Sequence, residues 1–169
     1  MAWKNPDQDE KVEIIGAISR AQPAFRRDSS RCIIETLELP FYPGAHLLKV
    51  TTRELPGKPL WYVRLPEKVE PLDRQAESIH HCNMDAPLVL NDKTIYPYLR
   101  FWYYFSAGAR VFEARIKRSA VGYTGKVWLF EKSQFFETDL NINARGLVTP
   151  LEKIALENVP EFDAGEFSF

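Results

Sequence analysis

Only two cysteines, Cys32 and Cys82, occur in the 169 residues, too few for the disulfide framework of a small secreted domain. No Asn-x-Ser/Thr sequon is present, so nothing marks an acceptor for N-glycosylation. Long apolar runs are missing as well. The longest, Phe101 to Phe105, is five residues, against the ~20 that a bilayer requires. Behind Lys4 the opening Met1-Ala2-Trp3-Lys4-Asn5-Pro6-Asp7 has no apolar stretch, which excludes a signal-peptide reading. These absences make a cytoplasmic chain without a membrane partner the expectation.

Aromatic residues, by contrast, are abundant at 13%, with hydrophobic residues at 45% and charged residues at 27%. The last two figures are those of an ordinary folded domain, and the length suits one hydrophobic core. Rings contribute much of the buried area in cores and interfaces alike, so the surplus serves either. The net charge of −1 conceals a segregation: residues 1–92 carry 12 basic and 14 acidic groups, residues 93–132 carry 8 and 2, and residues 133–169 carry 2 and 7. A basic middle attracts phosphates or an acidic partner, and an acidic tail can occupy the same surface intramolecularly.

Local patterning points to an α+β fold: a largely antiparallel sheet of hairpins packed against an aromatic-rich central helix, with short N- and C-terminal helices. Asn5 as cap, Pro6 at the first helical position and acids at 7, 9 and 10 begin a helix that Pro23 ends. β-branched and large apolar residues mark strands over 32–39, 47–55 and 60–65, the last two joined by a turn at Pro56-Gly57-Lys58-Pro59. A short helix is expected over 74–82. Pro97 and Gly108 bracket a nearly all-apolar helix over 94–107, with a strand as the competing reading because aromatic residues also favour pleated surfaces. From Arg110 the period becomes two, with Phe112, Ala114 and Ile116 on one side and Val111, Glu113, Arg115 and Lys117 on the other. Phe136, Thr138, Leu140 and Ile142 alternate with Glu137, Asp139, Asn141 and Asn143, a strand with one wet face that pairs with 127–131 across Lys132-Ser133-Gln134. Thr149-Pro150-Leu151-Glu152 has the form of a capping box and predicts a helix to about Asn158. The resulting division is one domain over 5–158 and an acidic aromatic tail over 159–169.

Catalytic spacings are lacking. His80, His81 and Cys82, with Asp85 nearby, form the densest group of ligand types, but adjacent helical residues diverge by about 100° and do not converge on one ion. Cys–His adjacency likewise does not supply the geometry of an activated thiolate. Gly122-Tyr123-Thr124-Gly125-Lys126 has too short a glycine spacing for a phosphate loop and carries Val127 where Ser or Thr would bind magnesium. It reads as a turn in a β-rich segment. Glu137 and Asp139, two apart on a wet face, read as ordinary solvent-facing acids. No catalytic residue, metal or cofactor is assigned.

The candidate binding residues are therefore Arg100, Tyr103, Arg110, Arg115, Lys117 and Arg118 in the basic aromatic stretch 96–118, with Phe162, Phe167 and Phe169 in the acidic tail. They suit a noncatalytic protein-interaction or assembly module that self-associates or joins another protein. Binding of single-stranded nucleic acid through 96–118 is the alternative, and a metal- or thiol-dependent enzyme using the His80–Cys82 region the third.

Overall fold

The computed structural model describes residues 2–25, 28–54 and 57–157. It is of mixed α+β class, with three α-helices and two four-stranded antiparallel sheets among the described residues. Contacts gather the chain into two compact units, Met1–Asp73 with Met84–Val89, and Arg74–Asn83 with Leu90–Phe169. No helix among the described residues is long and apolar enough to cross a membrane.

The first unit begins with helix α1, Gln8–Ala21. Its cap is Asp7, whose carboxylate accepts the Glu10 amide at 2.8 Å, so the cap sits two residues beyond Asn5 and Pro6 precedes the helix instead of opening it. The carboxylate there also complements the positive end of the helix. Strands β1 (Cys32–Glu38), β2 (His46–Thr52), β3 (Leu60–Arg64) and β4 (Val69–Pro71) follow as a meander in sequential order. Ile14, Ile15 and Ile18 of α1 form one buried cluster with Cys32, Ile34, Leu48, Val50 and Tyr62. Alternation puts Leu37, Leu47 and Val63 on the opposite face, where they are buried too. Arg64 fixes α1 to β3 through Glu10 and Glu13, and the Tyr62 hydroxyl donates to Gln22 at 3.0 Å. Gly57 has φ +78°, a region that favours glycine, while Pro56 of the expected turn and Leu55 before it lie outside the described residues.

The second unit holds most of helix α2 (Ala76–Asp85), then α3 (Ile95–Ala107), β5 (Arg110–Ser119), β6 (Gly122–Glu131), β7 (Gln134–Asn143) and β8 (Val148–Ala155). Thr94 and Gly108 bound α3, with Gly108 in the left-handed region, as expected of a C-terminal stop. Seven of its residues are buried, among them Tyr98, Phe101, Trp102, Tyr103 and Phe105. The four strands form a second sequential meander.

Three sequence expectations are corrected here. Gly122 to Lys126 is not a turn but the start of β6, paired with β5. A β-bulge at Phe112 places Val111 on the buried face and Phe112 on the other, reversing the expected alternation at those two residues. The expected C-terminal helix is strand β8, paired with β7 from Ile142↔Val148 to Phe136↔Ala155. Proline is tolerated in β8 because it is an edge strand. The Leu147 carbonyl accepts the Asn143 amide, so by alternation the Pro150 nitrogen faces away from β7 and no ladder bond is lost.

Candidate functional site

Sheet β5–β8 has one buried and one solvent-facing side, and cross-strand register determines what the open side presents. Glu113, Trp128, Glu137 and Ile154 form one row across the four strands, and Arg115, Lys126 and Asp139 the next. Lys117, Thr124, Asn141 and Thr149 form a third. Phe112, Phe130 and Phe135 cluster at one end, with ring centroids 4.9 to 6.1 Å apart, distances at which tilted and edge-on pairs attract.

A shallow depression of about 590 Å³ lies within this face, lined by Arg115, Lys117, Thr124, Lys126, Asp139 and Leu151, with Ile116 and Gly125 completing it. A Cβ at Gly125 would stand 2.1 Å from the Arg115 carbonyl oxygen, so glycine alone permits this approach of β5 and β6. Arg115 is held on two sides: its Nε donates to Glu113 at 2.9 Å, and its guanidinium lies 4.9 Å from the Trp128 ring centre. The Lys126 ammonium bonds Glu137, which raises its pKa above the usual lysine value. Two of the depression's three cations, Arg115 and Lys126, are thus paired with carboxylates of the neighbouring row, Glu113 and Glu137, and Lys117 and Asp139 complete its charges. Beside it, Leu151 and Ile154 of β8 are 54% and 51% exposed.

Edge strands invite unwanted pairing, and β8 is guarded against it. By the same alternation its outward positions include Pro150, which has no N–H, while a register shift falls between Pro150 and Lys153; proline, bulge and lysine all blunt an edge. At the β8 side, the open face and not the edge is the available surface.

The sequence-derived residues separate in space. Arg115 and Lys117 share the open face, and Arg110 stands in register with Phe130 at its aromatic end. Arg118 is exposed but alternates onto the opposite side, opposite Tyr123. Arg100 lies on α3 with its guanidinium 4.9 Å from the Tyr96 ring centre. Tyr103 is 3% exposed, and burial pushes its phenol well above the ordinary tyrosine value. Tyr98 and Trp102 are buried too, so none of these three rings offers a stacking platform. Phe162, Phe167 and Phe169 lie outside the described residues. Lys126, Trp128, Leu151 and Ile154 were missed. Lys126 and Leu151 lay in segments read as a turn and a helix, and only the pairing of β6 and β8 with β7 brings them to one face.

On α2, Cys82 is fully buried, His80 is half-buried and His81 exposed. Asp85 engages Lys68 at 2.6 Å. Among the described residues no group of three His, Cys, Asp or Glu side chains gathers closely enough to hold a metal ion. No family model, curated protein or solved structure matches the chain.

Proposed function

We propose that the chain is a noncatalytic protein-interaction module that self-associates through the open face of β5–β8, with α3 bracing the buried face. The observation that supports this is the coexistence on one face of exposed Leu151 and Ile154, the Trp128–Arg115 stack and the paired charges that border them, Arg115 with Glu113 and Lys126 with Glu137. Apolar and aromatic anchors bordered by charge are the composition of binding surfaces, where rings and arginine contribute most of the energy. A guarded edge beside this face directs association to side chains.

Native mass spectrometry of the full chain from micromolar to near-millimolar concentration tests the reading. The expected result is a concentration-dependent rise from 19.6 kDa to twice that mass, abolished by Leu151→Asp with Ile154→Asp. A single 19.6 kDa species at every concentration, or an oligomer that the double substitution leaves intact, would refute it.

A further inference from the structure

The two edges of sheet β5–β8 differ. At β8, proline and a register shift blunt the edge. At β5, the other outermost strand, the register runs without interruption from Glu113↔Trp128 to Ser119↔Gly122, and the strand contains no proline. The Arg115 carbonyl oxygen lies against Gly125 of β6, so the main-chain groups of Arg115 turn toward β6. Successive residues alternate in this respect, which turns the amides and carbonyls of Ala114, Ile116 and Arg118 outward.

Helix α3 closes only the start of this edge, where the Tyr96 hydroxyl donates to the Phe112 carbonyl at 2.9 Å. Beyond it, no hydrogen bond among the described residues reaches the outward groups of Ala114, Ile116 or Arg118. An unpaired row of this kind is a template for one more strand.

Side chains decide which strand fits. Lys117 on the open face and Arg118 on the opposite one are both exposed and, among the described residues, have no carboxylate partner, whereas Arg115 is engaged by Glu113. A second β5 is a poor occupant. Antiparallel pairing about Ile116 sets Arg115 opposite Lys117 of the other copy, and like charges directly opposite repel. A nucleic acid meets the cations but has no alternating amides and carbonyls to complete the ladder. An extended acidic peptide supplies both.

We infer that the β5 edge from Ala114 to Ser119 is a strand-addition site for an extended acidic segment of another protein. The segment runs antiparallel to β5, with carboxylates opposite Lys117 and Arg118 and an apolar residue opposite half-buried Ile116. This site lies beside the self-association face proposed above and does not depend on it.

The hexapeptide Thr-Glu-Glu-Val-Thr-Val, whose residues stand opposite Ser119 back to Ala114 in that order, tests this when titrated into the isotope-labelled full chain and followed by NMR. Solvent exchange should slow at the amides of Ala114, Ile116 and Arg118, and change little at those of Arg115 and Lys117, which already face β6. Methylating the amide of the first valine, which donates to the ladder at Ile116, should weaken binding about tenfold or more. Methylating the next threonine, whose amide points away from β5, should change it little. Arg118→Glu, on the side away from the open face, should weaken binding about tenfold. Leu151→Asp with Ile154→Asp should leave it intact, which separates this test from that of self-association. Equal losses from the two methylations, protection on the open face in place of the β5 edge, or no binding at peptide concentrations on the order of millimolar would each overturn the inference. So would edge protection that rises with protein concentration without peptide, which assigns the edge to a second copy, or equal protection by single-stranded DNA, which assigns it to nucleic acid.

Discussion

The two sheets share a topology and differ in what their faces do. In β1–β4 the strands are short, seven, seven, five and three residues, and both faces carry residues at or near zero exposure, Leu48 and Val50 on one and Leu47 and Val63 on the other. In β5–β8 three strands run to ten residues and one face remains open along its length. The second face of β1–β4 is buried only in part, since Ile33 on it is 63% exposed, yet a sheet with buried residues on both sides devotes more of its side chains to stability than one with a wet face. Length matters as well: a ten-residue strand rises ~33 Å, enough to array several cross-strand rows on one surface.

The largest expected effect inverts between the sheets. Leu48→Ala removes a fully buried side chain from the α1 cluster and should destabilise the fold by about 2–5 kcal/mol. Lys117→Glu, at an exposed position of the open face, should change unfolding free energy by no more than about 0.5 kcal/mol, as such positions usually do, while weakening self-association. Urea denaturation and native mass on the two variants measure both quantities. A costly charge reversal beside a tolerated Leu48→Ala would remove the distinction between a stabilising sheet and a recognising one.

How legible this division was in the sequence depended on where the deciding information lay. Helix α1 and strands β1–β3 could be read locally from apolar periodicity, although the α1 cap falls at Asp7 and not Asn5, whereas 94–107 stayed open between helix and strand because an aromatic-rich apolar run suits both. β8 could not. Thr149-Pro150-Leu151-Glu152 satisfies a helix N-terminus chemically, and what overrides it is pairing with Phe136 to Ile142, a tertiary interaction that no local pattern records. The same applies to the site. Arg115 and Lys117 announced a shared face through their alternation, but Lys126 needed the β5–β6 register, and Leu151 and Ile154 needed β8 to be a strand. The bulge at Phe112 displaced the alternation by one residue, since an inserted residue leaves composition unchanged while shifting every side chain that precedes it.

Within the second unit, two buried tyrosines on α3 sharpen the contrast between satisfied and unsatisfied polar groups. The Tyr98 hydroxyl donates to the Gly146 carbonyl at 2.5 Å and accepts from the Asn83 amide at 2.8 Å, whereas the buried Tyr103 hydroxyl has no partner among the described residues. Tyr98→Phe should therefore cost about 1–3 kcal/mol, and Tyr103→Phe should lie within about 1 kcal/mol of wild type on the stabilising side. Burial raises both phenol pKa values. The unfolded chain then loses these protons first as pH passes about 10, so the stabilisation is complete below that pH and declines above it. Chemical denaturation between neutral and strongly alkaline pH should show this decline, shallower in Tyr103→Phe. A stability independent of pH in that range would contradict the burial of both phenols.

The smallest expected change concerns the β6–β7 hairpin, whose position beside the open face makes it a test of how much stability that sheet gives up to local strain. Glu131 and Gln134 pair across a two-residue loop, with Lys132 at φ 49° and Ser133 at φ 68°. Left-handed conformations at both loop positions define the type I′ turn favoured by strand twist, and Asn-Gly is the pair that adopts it with least strain. A non-glycine residue there costs about 1 kcal/mol, offset here by the long ladder on either side. Lys132→Asn with Ser133→Gly should therefore stabilise the protein by about 1 kcal/mol, raising Tm by roughly 2–4 °C for a chain of this size, without altering self-association, since neither residue lines the depression. Thermal unfolding followed by circular dichroism reads the shift. A lowered Tm would mean that the Lys132 and Ser133 side chains contribute more to the hairpin than their backbone strain removes, and that the open sheet is no more strained than the buried one.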